Sequence, residues 1–289
     1  MSVLPEAGKE VRQWHAELDL ELALRDEVTV VANARHSGPL RIQKAFPQVD
    51  GGCHVYLLHP PGGLVGGDQL TIRVCSQPGT KALITTPSAG KFYRCLEGLE
   101  QKQLFQITVN GSAQLEWLPQ ENIFFDGARS DLETEVHMAL DSLFIGWEIH
   151  CLGRRAMGES FSTGQMTQRL RLFREGVLLH RERLEVLPGS LSRAAGWGLG
   201  GMGVIGTLVA ALPVVVAQNA SRQIQAEILE LSSLEPRQCW GFSQKDSIIL
   251  GRYLGESAEE CRDGLTQMRV NLSAAGVGAT PAIPRIWNT

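Results

Sequence analysis

Leu132, Thr134, Val136, Met138 and Leu140 fall on one side of a two-residue alternation whose other side carries Asp131, Glu133, Glu135 and His137. That phase predicts a half-buried β-strand. Phe105-Ile107-Val109, Ala113-Leu115-Trp117 and Glu182-Leu184-Val186 repeat the same step. Pro78-Gly79, Asn110-Gly111, Asp126-Gly127, Glu175-Gly176 and Pro188-Gly189 mark turns between such segments. Many short strands divided by turns predict a mainly β architecture, and the alternation leaves a sandwich, a barrel and a stacked β-helix equally open. Helical periodicity emerges only toward the C-terminus. Ile224, Ile228 and Leu231 form one stripe over Ser221 to Leu231, and Ser257 with Glu260 makes a capping box. That box opens a helix with Cys261, Leu265, Met268 and Leu272 on one face.

From Ala194 to Ala217 no residue is charged over 24 positions, long enough to span a bilayer. Six glycines and Pro213 weaken a helix there, and Pro213-Val214-Val215-Val216 reads as a buried strand, so no membrane span is expected. The same stretch holds Gly198-x-Gly200-x-x-Gly203. It lacks the preceding strand, the following helix and the later acidic residue of a dinucleotide site, and is read as a Gly-rich packed or flexible segment.

Composition narrows the class. At 289 residues, 43% hydrophobic and 20% charged, the chain is read as one globular domain over 1–289, with no internal repeat or linker. A net charge of -4 offers no general attraction to phosphate backbones, so nucleic acid is not an expected partner. Residues 1–10 show no basic segment followed by an apolar run, so no signal peptide and a cytoplasmic location are expected. Cys53, Cys75, Cys95, Cys151, Cys239 and Cys261 stand far apart without a C-x-x-C pair, as reduced and mostly buried thiols do.

The search for chemistry is largely negative. There is no G-x-S-x-G elbow and no H-E-x-x-H, and Gly90-Lys91 is followed by Phe92 rather than the Ser or Thr of a phosphate-binding loop. Lys91 and Arg94 suit an anion site or ordinary salt bridges. Cys53-His54 and His150-Cys151 place their side chains on opposite faces of a strand, and His59 lies roughly 20 Å along from Cys53, so these are read as structural. His137, among acidic neighbours, is read as solvated.

The densest signal is His59-Pro60-Pro61-Gly62-Gly63-Leu64-Val65-Gly66-Gly67-Asp68. Prolines fix φ and glycines supply conformations other residues avoid, so this is a rigid turn that places Asp68 and releases a strand, Thr71 to Val74. Four more motifs follow in order: Thr85-Thr86-Pro87-Ser88-Ala89-Gly90-Lys91-Phe92-Tyr93-Arg94, Leu115-Glu116-Trp117-Leu118-Pro119-Gln120-Glu121-Asn122-Ile123, Trp147-Glu148-Ile149-His150-Cys151-Leu152-Gly153-Arg154, and Pro284-Arg285-Ile286-Trp287-Asn288-Thr289. Together they resemble the urease accessory protein D family (UreD, UreH in some organisms) from about Gly38 to the C-terminus. One departure is Ala45-Phe46-Pro47-Gln48, where the family pattern has an acidic residue near position 48.

The resemblance implies a β-helix-like stack of strands with two α-helices toward the C-terminus. It implies a urease maturation factor that is not itself an enzyme. Such a scaffold would dock on apo-urease, bind accessory protein F directly and recruit the GTPase accessory protein G through it. No cofactor would be permanently bound, and nickel would pass transiently. By motif position, Asp68, Glu148 and Glu182 are the carboxylates expected along an internal nickel route, since scattered oxygen ligands release a cation that a closed His and Cys site would retain. Gly62, Gly63, Gly66, Gly67, Lys91, Tyr93, Arg94, Trp117, Pro119, Glu121, Arg154, Arg285 and Trp287 are the other motif residues. Two further readings stay open: a structural adaptor without metal passage, and an enzyme using Lys91, Arg94 and Glu121.

Overall fold

A computed structural model describes residues 13–96, 98–212, 222, 226, 239–274 and 283–288. Its backbone winds three times through the same circuit. Strands β6 (Gln69–Ser76), β7 (Lys81–Thr85) and β8 (Gly90–Phe92) make the first coil, and β9 (Gln101–Val109), β10 (Gln114–Trp117) and β11 (Asn122–Phe124) the second. β12 (Arg129–Met138) and β13 (Leu143–Leu152) make the third, and β14 (Gln165–Arg174) begins a fourth pass. Gln69, Lys102, Asp131 and Thr167 are paired neighbours in one row, so successive passes lie roughly 30 residues apart. This is the solenoid-like stack that the family resemblance implies.

Parallel strands β1 (His15–Arg25), β6, β9, β12 and β14 form one sheet, closed at its ends by antiparallel β2 (Val28–Ser37) and β15 (Val177–Val186). The facing sheet runs β5 (Cys53–Leu58), β7, β10 and β13 in parallel. It continues through antiparallel β16 (Val204–Ala211), β18 (Ile248–Gly255) and β17 (Cys239–Lys245). β13 is long enough to pair with β10 along its first half and β11 along its second. Short strands β3 (Arg41–Ile42) and β4 (Phe46–Pro47) flank β5.

Alternation fixes the layers. Ile72, Val74, Phe105, Ile107, Val136, Met138 and Leu172 point inward from the first sheet, against Ile84, Leu115, Trp117 and Phe144. Its outer face is a charged ladder in which Arg169 and Arg171 bridge Asp131, Glu133 and Glu135, and Arg73 bridges Glu17 and Asp19. The strand over Asp131 to Leu140 ends at Met138, and Leu140 is exposed in the following turn. His137 is more than solvated: its ring stacks on Phe173 at 4.9 Å and meets Glu135 at 2.6 Å.

The back of the second sheet carries helix α2 (Ala258–Ala274), which follows the single helical turn α1 (Leu191–Ala194). Ser257 caps α2 through its Oγ, which accepts the Glu260 amide at 3.2 Å, and the Glu260 carboxylate accepts from the Tyr253 hydroxyl at 3.3 Å. Cys261, Leu265, Met268 and Leu272 pack on Ile145, Trp147, Ile149 and Leu208. A buried ion pair ties helix to sheet: Arg269 Nη2 and Nε lie 2.7 and 2.8 Å from Glu116 Oε2. The Ser221–Leu231 helix, apart from residues 222 and 226, and the Pro213–Val216 strand lie outside the described residues. The uncharged segment contributes β16 instead, and Gly198 to Gly203 are turns leading into it. Among the described residues no helix is long and apolar enough to cross a membrane.

Candidate functional site: an interior cavity with a carboxylate at its inner end

The His59–Asp68 segment leads from β5 into the first coil. Leu64 bridges Phe92, with its amide donating to the Lys91 carbonyl at 2.7 Å and its carbonyl accepting the Tyr93 amide at 2.9 Å. This places Leu64 in a row with Phe92, Phe124 and Leu152, which come one from each of the three coils. Gly63 is required by approach: a Cβ there would sit 2.5 Å from the Tyr93 ring and 2.7 Å from the Lys91 carbonyl oxygen. Gly66 is similarly crowded by Leu99 and Cys95. Gly62 and Gly67 have φ of +78° and +96°, which favour glycine.

Asp68 sits under this turn. Its carboxylate accepts the amides of Val65 at 2.9 Å and Trp14 at 3.1 Å and is buried. Beside it, burial pushes the His59 imidazole pKa down, while the Asp68 charge pulls it up.

Between the sheets lies a cavity of about 110 Å³. Its outer end is formed by His59, Gly62, Gly63 and Ser88 to Lys91, with Gly62, Ser88 and Lys91 exposed. Its walls include Phe92, Phe105, Trp117 and Pro119, and its inner end Gln103, Thr134 and Glu148. A second, smaller hollow continues past Trp117, Thr134 and Glu148 toward Gly146 and Thr207. Inward strand positions that are apolar elsewhere are here polar: Gln103, Thr134 and Gln168 are all buried. The buried Trp117 Nε1 has no hydrogen-bond partner among the described residues, so the lining holds a donor as well as acceptors.

Glu148 projects into this polar belt. Thr134 Oγ1 donates to its Oε1 at 2.7 Å and Gln168 Nε2 donates to its Oε2. Within 4 Å its one basic neighbour among the described residues is His150, at 3.7 Å. Of the other two candidate carboxylates, Asp68 is held by backbone amides and Glu182 by arginine. Glu182, on β15, takes a two-pronged contact from Arg252 at 2.7 and 2.9 Å, with His180 at 3.5 Å. Burial raises its pKa, but the His180 and Arg252 contacts outweigh that and hold it below the ordinary carboxylate value. Neither Asp68 nor Glu182 lines the cavity.

The remaining motif residues fall into separate groups. Tyr93 stacks edge-on against Phe125, Arg154 lies over that ring at 4.3 Å and bonds Glu159, and Arg94 reaches the Asp126 carbonyl at 3.3 Å. Glu121 lies 3.6 Å from Arg262 of α2. Arg285 and Trp287 form a C-terminal turn, where Trp287 packs on Trp147 at 5.4 Å and donates to Thr85 Oγ1 at 2.8 Å. Trp147 in turn donates to the Pro119 carbonyl at 2.8 Å. Lys91, Arg94 and Glu121 thus stand in three different settings.

Thr134, Gln168 and His150 were not among the residues expected at the site. For Thr134 and Gln168 the signal was a polar side chain at the inward phase of an alternating strand. Among the described residues no cluster of three or more His, Cys, Asp and Glu is placed to hold a metal. Cys53 and Cys261 are buried and unbridged, and burial pushes the Cys53 and Cys151 thiols up to about 11 and about 12.

The UreD urease accessory protein family profile matches residues 15–288. The chain is 41% identical to urease accessory protein UreD of Saccharophagus degradans, over 100% of this chain and 98% of that protein. It is 42% identical to UreD of Dechloromonas aromatica, over 96% and 95% of the two chains. With UreD of Klebsiella pneumoniae it shares 37%, over 100% and 99%. Matched almost end to end, and with all five motifs built into or around one stacked β core, the chain belongs to the UreD family of urease accessory proteins.

Proposed function

We propose that this chain is a non-enzymatic scaffold for urease metallocentre assembly. It docks on apo-urease, binds accessory protein F directly and, through F, the GTPase accessory protein G, and it passes nickel through its interior past Glu148. The observation that carries the route is the contrast among carboxylates. Glu116, Glu121 and Glu182 face arginines, whereas Glu148 lies at the polar inner end of a largely apolar cavity and is held by neutral donors. A carboxylate without a resident cation keeps its charge for a mobile one, and few strong ligands let that ion leave. Asp68, near the outer end, is engaged by backbone amides and supports the mouth rather than lining it.

The test is complementation of a strain lacking this chain, under limiting nickel, with wild type or Glu148→Gln, scoring urease activity, nickel bound to urease and co-purification of accessory protein F. The expected result is a loss of about tenfold or more in activity and bound nickel with F retained. Full activity of Glu148→Gln leaves the structural adaptor as the better reading.

A further inference from the structure

Beside Glu148, just behind the cavity lining, stands a second group that the route alone does not use. His150 stands two residues after Glu148 on β13, so both side chains project from the same face of the strand. Its ring is buried edge-on against Phe124 at 5.6 Å, yet neither Nδ1 nor Nε2 has a hydrogen-bond partner among the described residues. Leaving a buried imidazole without partners is costly, and native proteins seldom do so without a use for the group.

The geometry supplies one. His150 Nε2 lies 3.7 Å from Glu148 Oε2, too far for a hydrogen bond. Imidazole nitrogen and carboxylate oxygen each sit about 2.0–2.2 Å from a divalent transition-metal ion of zinc's size, so one ion seated between them spans this gap at an open angle. Gln168 donates to Oε2 and Thr134 to Oε1, which orients the carboxylate while leaving lone-pair capacity on Oε2.

We propose that Glu148 and His150 together form a two-ligand station for a borderline divalent cation in the interior, with water completing the coordination. The proposal rests on the interior route above. An imidazole in the pair favours nickel, copper or zinc over magnesium and calcium. The lack of a third protein ligand among the described residues keeps the site weak and exchangeable, as transit demands and storage does not.

The test is equilibrium binding of Ni2+ to the purified full chain, with nickel-edge absorption spectra, for wild type, His150→Phe and Glu148→Gln. Phe keeps a ring against Phe124 and removes both unpaired nitrogens, so the fold and melting temperature should hold. The chain carries seven histidines, and the difference between variants isolates this one. Expected is a fall of about tenfold or more in the tightest nickel affinity for each variant, with loss of an imidazole signature in His150→Phe and no competition from millimolar Mg2+. Unchanged isotherms and spectra in both folded variants overturn the station. If Glu148→Gln blocks urease activation while His150→Phe binds nickel like wild type, the route stands and the station falls. Weakened binding in both with activation intact supports the station and removes the route past it.

Discussion

Removing Arg269 should cost this protein more stability than any surface ion pair. The guanidinium is fully buried and the Glu116 side chain is 3% exposed, with two contacts under 3 Å between them. Arg269→Ala takes the guanidinium away from a buried carboxylate under helix α2, and the expected loss is about 3–5 kcal/mol. At about 2–4 °C per kcal/mol for a domain of this order, the melting temperature should fall by roughly 6–20 °C. Urea unfolding of the purified chain, followed by tryptophan fluorescence, gives the same quantity from the midpoint at constant slope. The double change Glu116→Leu with Arg269→Met removes both charges at similar volume, and should return to within about 1 kcal/mol of wild type or exceed it. A single variant within about 1 kcal/mol of wild type would show that water reaches the pair as it does an exposed one, and would refute the reasoning.

Three other outcomes follow from the described contacts. Gly63→Ala, which forces a Cβ to 2.5 Å from Tyr93, should lose about 1–3 kcal/mol, whereas Gly62→Ala meets nothing within 4 Å and should lose about 1 kcal/mol from its positive φ; thermal unfolding of the two ranks them. Arg252→Ala should destabilise by about 1 kcal/mol at pH 7, since Arg252 is half exposed. Because the folded pKa of Glu182 is lowered, that stabilisation is complete above the unfolded carboxylate value and disappears as pH falls through the folded one, so the gap to wild type measured from pH 7 to 3 should close at the acid end. Trp287→Ala removes the ring on Trp147 and the bond to Thr85, and should cost about 2 kcal/mol with a changed near-ultraviolet circular dichroism spectrum; an unaltered spectrum would mean the C-terminal turn does not dock in solution.

What the sequence disclosed depended on how many faces an element buries. β12 was legible because one face meets the core and the other water, which writes the alternation directly into the residues. β13 is buried on both sides, Phe144 and Glu148 toward the cavity and Trp147 toward α2, so its residues show no such phase. β8 and β11 have three residues each, too few for a period, though both fall inside motifs singled out for their composition. The turn at Gly62–Asp68 was readable because proline and glycine chemistry is local. The cavity was not, since it depends on register among strands roughly 30 residues apart, and the pairing of Glu148 with Gln168 and Thr134 appears only once those rows are aligned.

The antiparallel strands at either end of the first sheet bear on how such a molecule can vary. Five parallel strands stand between β2 and β15, and each step across a sheet is about 4.8 Å, so the two terminal hairpins are held roughly 19 Å apart beyond the outermost parallel strands' own width. Length changes in the connections between strands leave that spacing untouched, because they bulge outward from the stack. Gaining or losing a coil does not, because every surface beyond it shifts by a whole strand. Within this architecture, insertions should be tolerated at the corners and excluded as complete turns, and the number of coils acts as a fixed ruler between the two ends of the molecule.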